Sequence, residues 1–164
     1  MTTEIYLLRH AHAGDPGKWH GDDAERPLSA KGRRQSERLA ALLASTRFRP
    51  DVLVSSPKVR ALETARIVGK AIHVAPMVDE RLASGFDLRR LASVLDEHGS
   101  ATRIVLVGHD PDFSDLLAEL IGAPEVALRK GALARVDVEG RPTPGDGLLR
   151  WLIPPDVLDA VADL

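Results

Sequence analysis

"RIVLVGHDPDFSDLLAELIG", Arg103 to Gly122, decides how this chain folds. Ile104 to Val107 is an unbroken apolar run, halted by Gly108 and by the polar pair His109–Asp110. A short apolar run that stops in glycine and polar residues reads as a strand buried on both faces. Pro111 then leads into "DFSDLLAELIG", whose apolar residues recur at helical spacing and which Gly122 closes. A buried strand feeding a helix is half of a βαβ unit, so a parallel sheet follows if other segments repeat the pattern.

They do. Ile5 to Leu8 is a second apolar run, ending in Arg9 and His10. "RPLSAKGRRQSERLAALLAS" predicts a helix capped by Ser29, with Leu39, Leu42 and Leu43 along it. Val52 to Val54 predicts another buried strand, stopped by Ser55, Ser56 and Pro57, and Pro57 suits the first turn of a helix through "KVRALETARIVGKA". "FDLRRLASVLDEHG" is a further amphipathic helix. Beyond Gly131, "ALARVDV" alternates, "EGRPTPGDG" is a hairpin connector, "LLRWLI" is a last strand, and Pro155 to Leu164 predicts a terminal helix. The expectation is one α/β domain over residues 1–164, a three-layer α/β/α sandwich with a mostly parallel central sheet.

Bulk properties narrow the function. With 22 basic and 24 acidic residues the formal net charge is −2, without the positive excess that nucleic-acid binding needs. The absence of cysteine removes disulfides, thiol chemistry and Cys-ligated zinc, and fits a reducing compartment. No run approaches the roughly 20 apolar residues of a membrane span, and "MTTEIYLLRH" lacks a leader's basic start and cleavage site. A cytoplasmic protein with no membrane and no nucleic-acid partner is expected.

In an open α/β sheet, ligands bind beyond the carboxyl ends of the strands. The first strand ends in Arg9 and His10, the strongest in His109, and Arg60 lies one turn into the helix after Ser55–Ser56. Taken singly, each has a plain structural reading: arginines and histidines at strand ends are commonly solvated or ion-paired, and Arg60 has basic neighbours in Lys58 and Arg66. Together they suit phosphoryl transfer. A neutral imidazole attacks phosphorus when its other nitrogen is held by an acceptor. Two guanidinium forks and a second, protonated imidazole then stabilise the transferring group's oxygens. This arrangement requires neither metal nor cofactor.

The same residues carry a family resemblance. "LLRHAHA" resembles the Arg-His-Gly signature of the histidine phosphatase superfamily, whose fold is phosphoglycerate-mutase-like. "SSPKVRALETA" and "VLVGHDPDFSDLLAEL" resemble its second and third motifs, and with "ERPLSAKGRRQ" the order is similar to the small SixA-type phosphohistidine phosphatases. The resemblance runs from about Ile5 to about Trp151. It implies that His10 becomes a transient phosphohistidine, that Arg9 and Arg60 hold the phosphoryl oxygens, and that His109 completes the pocket. One departure stands out: the residue after the nucleophile is Ala11 instead of glycine, which is tolerable unless that position needs positive φ. The resemblance also points to Glu80, in "VDERLASG", as the general acid, against its reading as a surface glutamate beside Arg81. Only about 20 residues separate Ala83 from Arg103, enough for one helix and little roof over the site. The implied partner is a phosphorylated protein carrying phosphohistidine, or a small phosphorylated metabolite.

Two other readings compete. His10 and His12 form an H-x-H pair which, with Asp15 and His20, could serve a metal-dependent hydrolase. The acidic residues of "HGDDAE", however, read as a solvated loop, and His12 as a bystander on the rim. The other reading is a catalytically silent phosphate-binding domain on the same fold.

Overall fold

The computed structural model describes residues 1–162. Its strands are β1 (Thr2–Arg9), β2 (Val52–Ser55), β3 (Met77–Val78), β4 (Arg103–Gly108), β5 (Leu133–Glu139) and β6 (Leu148–Ile153). The helices are α1 (Ala30–Ser45), α2 (Val59–Ile72), α3 (Leu88–Glu97), α4 (Asp112–Ile121) and α5 (Pro155–Ala162). The strands form one sheet in the order β3-β2-β4-β1-β5-β6. From β3 to β1 the pairings are parallel, whereas β5 runs antiparallel to β1 and β6 antiparallel to β5.

Side-chain alternation in the buried strands builds the layers. Ile5 and Leu7 point to one face, where they pack with Leu91 and Val94 of α3 and Phe113 and Leu117 of α4. Tyr6 and Leu8 point to the other, against Leu39 and Leu43 of α1 and Ala65 and Val68 of α2. Each large side chain buried in this way contributes about 1.5–3 kcal/mol. The expected three-layer α/β/α sandwich is the observed architecture, and β1 and β4 lie side by side at its centre.

Three details depart from the sequence reading. β3 has no sequence signature: it is two exposed residues that pair through Val54↔Met77 and Ser55↔Val78. Pro57 lies outside α2, because the Ser56 hydroxyl accepts the Lys58 N–H (3.2 Å) and holds a turn that delays the helix to Val59. The terminal helix is seen as Pro155–Ala162, and residues 163–164 of that expectation lie outside the described residues. Among the described residues no helix is long and apolar enough to cross a membrane.

Candidate active site

The sheet's parallel strands deliver their carboxyl ends to one edge, and four of the five candidate residues gather there. β1 ends at Arg9, so His10 is the first residue beyond it, held by its backbone N–H to the Gly108 carbonyl at 3.0 Å. β4 ends at Gly108, so His109 holds the equivalent place on the adjacent strand. The glycine is required because a Cβ there would lie 2.6 Å from the Phe113 ring. The His10 and His109 rings are 5.2 Å apart between centroids. Arg60, on the first turn of α2, is buried with them and close enough for its charge to act on both imidazoles.

The loop after β1 is shaped by α1. A Cβ on Gly32 would lie 1.9 Å from the His12 carbonyl oxygen, so only glycine lets the first helical turn rest on this backbone. Ser29 caps that turn by accepting the Gly32 N–H (3.1 Å), and its own N–H donates to the His12 carbonyl (3.0 Å). Ala11 is fully buried, and its N–H donates to Thr64 Oγ1 at 3.1 Å. Its φ is not positive, so alanine serves where the related motif has glycine.

His10 Nδ1 lies 2.8 Å from the Ala11 carbonyl oxygen. A carbonyl can only accept, so Nδ1 carries the proton and Nε2 keeps its lone pair. Burial, reinforced by Arg60, Arg9 and Lys130, pushes the His10 pKa down to about 3, although the Ala11 bond acts the other way. His109 also falls to about 3, through burial and then the surrounding charges. In a pocket this dry and positive, His109 favours its neutral form.

Each arginine is anchored by its far end. Arg9 Nη1 donates to the Leu128 carbonyl (3.0 Å) and pairs with Asp110 Oδ2 (3.2 Å). Arg60 Nη1 donates to the Asp23 carbonyl (2.7 Å) and Nη2 to the Asp23 carboxylate (3.0 Å). Asp23 also accepts from Arg26 Nε (2.9 Å), and these bonds, Arg26 first, hold its carboxyl below the usual range. The "HGDDAE" loop is therefore not merely solvated: its Asp23, half-exposed, grips a buried arginine. His109 Nε2 lies 2.7 Å from Ser56 Oγ. Asp23, Ser56 and Thr64 were not picked out as site residues from sequence, though Ser56 and Thr64 lie in the "SSPKVRALETA" motif.

Among the described residues, three buried side-chain nitrogens lack a hydrogen-bond partner: Arg9 Nε, Arg60 Nε and His109 Nδ1. All three belong to this cluster. Buried polar nitrogens without partners cost roughly 1–3 kcal/mol each, so three of them within one cluster of four residues suit an anion as their common partner.

Glu80 stands apart. It is exposed, in a single 3-10 turn after β3, and β2 and β4 lie between β3 and β1. His12 is turned to Ser29 Oγ, 2.6 Å from its Nδ1. Among the described residues no three His, Asp or Glu side chains gather as a metal-ligating group.

The family model of the histidine phosphatase superfamily (branch 1) matches residues 5–84. An uncharacterized protein of Picosynechococcus sp. is 31% identical over 115 residues, 68% of this chain and 69% of that protein. Among solved structures, the putative phosphohistidine phosphatase SixA of Agrobacterium tumefaciens is 26% identical, with a TM-score of 0.77 over 93% of this chain and 98% of that one. A protein histidine phosphatase SixA complexed with tungstate shares the fold at a TM-score of 0.83 and 23% identity, covering 95% of this chain and 99% of that one. A putative alpha-ribazole-5'-P phosphatase of Escherichia coli shares it at 0.74 and 20%, covering 93% and 97%. With its fold, its strand-end histidines and these relatives in agreement, the chain belongs to the histidine phosphatase superfamily, a family of phosphatases.

Proposed function

We propose that this protein hydrolyses phosphohistidine on a partner protein in the cytoplasm, through a phosphoryl-enzyme intermediate on His10. The observation that carries the reading is the set of three unpartnered nitrogens around His10. Arg9 Nε, Arg60 Nε and His109 Nδ1 are the donors a tetrahedral oxyanion lacks in an apolar interior. Tungstate, held by a structure of the same fold, is an anion of that shape.

The chemistry follows from the tautomers. His10 Nε2 directs its lone pair at phosphorus; the new N–P bond forms as the bond from phosphorus to the substrate's imidazole nitrogen breaks, and that ring, protonated on its other nitrogen, leaves with the electron pair as neutral imidazole. Arg9 and Arg60 offset the charge on the phosphoryl oxygens. Ser56 Oγ already accepts the Lys58 N–H. We assign the Ser56 hydroxyl as donor to His109 Nε2, an arrangement in which the single proton of the neutral His109 sits on Nδ1 and donates to the third oxygen. Water then attacks phosphorus, the N–P bond breaks, orthophosphate departs carrying both protons of the water, and Nε2 regains its lone pair.

The leaving group favours phosphohistidine. Imidazole, with a reference pKa of about 6.5, needs little protonation, whereas an alkoxide needs a well-placed acid. Glu80, exposed after β3 at the carboxyl edge of the parallel strands, remains the proposed acid for alkyl esters. The segment between Ala83 and Arg103 also supports this substrate: it is one helix, α3, which buries Leu91 and Val94 in the core.

A panel comparing a phosphohistidine protein with small phosphate esters tests the substrate. Preference for the phosphohistidine protein by tenfold or more in kcat/KM is expected. A stronger preference for a compact phosphometabolite would replace this reading with a metabolite phosphatase on the same fold. Binding of orthophosphate without turnover of any substrate would make the protein a silent phosphate binder.

A further inference from the structure

Beside the His10 cluster lies a second hollow of about 380 Å³, within the size range of small-molecule sites. Arg9 lines it as well, so the hollow reaches the His10 cluster. We propose that this hollow, walled by Lys31, Arg129 and Lys130, is a second anion site, taking a phosphate or carboxylate that the substrate carries beside its transferable phosphoryl group. The inference rests on the phosphoryl-transfer reading of His10 and adds the substrate's second charge to it.

The three cations are placed by backbone. Gly131 donates its N–H to the carbonyls of Arg9 and His10 (3.1 and 3.0 Å), and Arg9 Nη1 grips the Leu128 carbonyl. Arg129 and Lys130 are thereby pinned to the end of β1. Lys31 occupies the helical turn that Gly32 seats on the His12 carbonyl. None of the three forms an ion pair among the described residues. In a chain of formal net charge −2, an uncompensated basic wall is a local exception. Lys130 is also partly buried, and burial, followed by the charges of Arg9, Arg26, Arg60 and Lys31, pushes its ammonium below the usual range. A second anion relieves that repulsion.

The opposite wall is Asp156 and Asp159 of α5. Asp159 is neutralised by Arg38. Asp156 has no ion-pair partner among the described residues, so it weakens any anion held across from it and offers a gain-of-binding test. The second anion has two chemical sources: an acidic side chain next to a protein phosphohistidine, or a second phosphate on a small substrate.

The experiment measures inhibition of p-nitrophenyl phosphate hydrolysis by orthophosphate and by pyrophosphate. Pyrophosphate is expected to inhibit the wild-type protein at least tenfold more strongly than orthophosphate. The Lys31→Gln/Arg129→Gln double variant should lose most of that advantage while orthophosphate inhibition changes by less than twofold. Asp156→Asn should strengthen pyrophosphate inhibition about threefold, a gain that misfolding cannot produce. Equal inhibition by the two anions in the wild type, or equal weakening of both in the double variant, overturns the proposal. Phosphohistidine peptides with and without a neighbouring glutamate separate the sources: a glutamate preference lost in the double variant assigns the site to a protein, and its absence beside a pyrophosphate advantage assigns it to a small substrate. Calorimetric pyrophosphate preference in a protein inactive on every substrate would strike the catalytic reading and leave the second site standing.

Discussion

His10 and His109 face each other with ring centroids 5.2 Å apart and planes tilted by 51°, each the first residue beyond one of two adjacent parallel strands. Neither is charged, and their free nitrogens differ in kind. His10 offers a lone pair at Nε2, whereas His109 offers Nδ1, a buried nitrogen that lacks a partner. This division leads to the first prediction. Rapid quenching without acid should trap a base-stable, acid-labile phosphoryl group on His10, and His10→Ala should remove both label and turnover. Turnover persisting in that variant would mean that water attacks directly.

The depressed histidines predict an acid-sensitive fold. Each has an ordinary pKa of 6.5 and a folded value of about 3, so the unfolded chain binds more protons between those values. Their contribution to stability is complete above pH 6.5 and declines as pH falls toward 3, by about 1.4 kcal/mol per pH unit for each histidine. Urea midpoints from pH 7 to pH 4 should show His109→Gln with a slope shallower by roughly one histidine's share. Parallel curves for the variant and the parent protein would refute the depressed value.

Asp23 should matter through Arg60. Its carbonyl and carboxylate occupy Nη1 and Nη2, leaving Nε unpartnered in the pocket. Arg60→Ala is expected to lower kcat/KM on the order of 10²–10³-fold. Asp23→Ala should lower it less, about tenfold, and should have almost no effect in the Arg60→Ala background. Additive losses in that double-mutant cycle would show that Asp23 acts on its own account.

Glu80→Gln separates leaving groups. Alkyl phosphomonoester hydrolysis should fall much more than phosphohistidine hydrolysis, because only the alkoxide needs a donated proton. Equal losses on both substrates would remove Glu80 from the role of acid.

Gly32→Ala tests the seat of α1. A methyl group 1.9 Å from the His12 carbonyl oxygen has no flexible neighbour to displace, so the turn must move. A loss of about 3 kcal/mol is expected from chemical denaturation, at the upper end of overpacking effects. An unchanged midpoint would show that the turn shifts freely.

The parts of the architecture that could be read from sequence were those with strong local patterns. β4 and β1 each contain an uninterrupted apolar run, Ile104–Val107 and Ile5–Leu8, and the residues that follow these runs are polar or glycine, so the strands and the positions of His10 and His109 were legible together. Arg60 was legible through its place after Ser55–Ser56. β3 was not, because two exposed residues carry no period. Asp23 was hidden for another reason: its neighbours in sequence are acidic and solvated, and its grip on Arg60 is a contact across 37 positions that no local pattern encodes. The dryness around His109 was not legible, because it is a property of the assembled core, in which Leu106 and Val107 lead directly to it.

The antiparallel return of β5 beside β1 has a consequence for synthesis on the ribosome. The Leu128 carbonyl anchors Arg9, and the Gly131 N–H ties down the carbonyls of Arg9 and His10. A nascent chain that has already produced both histidines and both arginines therefore still lacks a finished cradle. Until residue 131 has left the exit tunnel, the growing polypeptide lacks the hydrogen bonds that fix Arg9 and the His10 backbone in this arrangement.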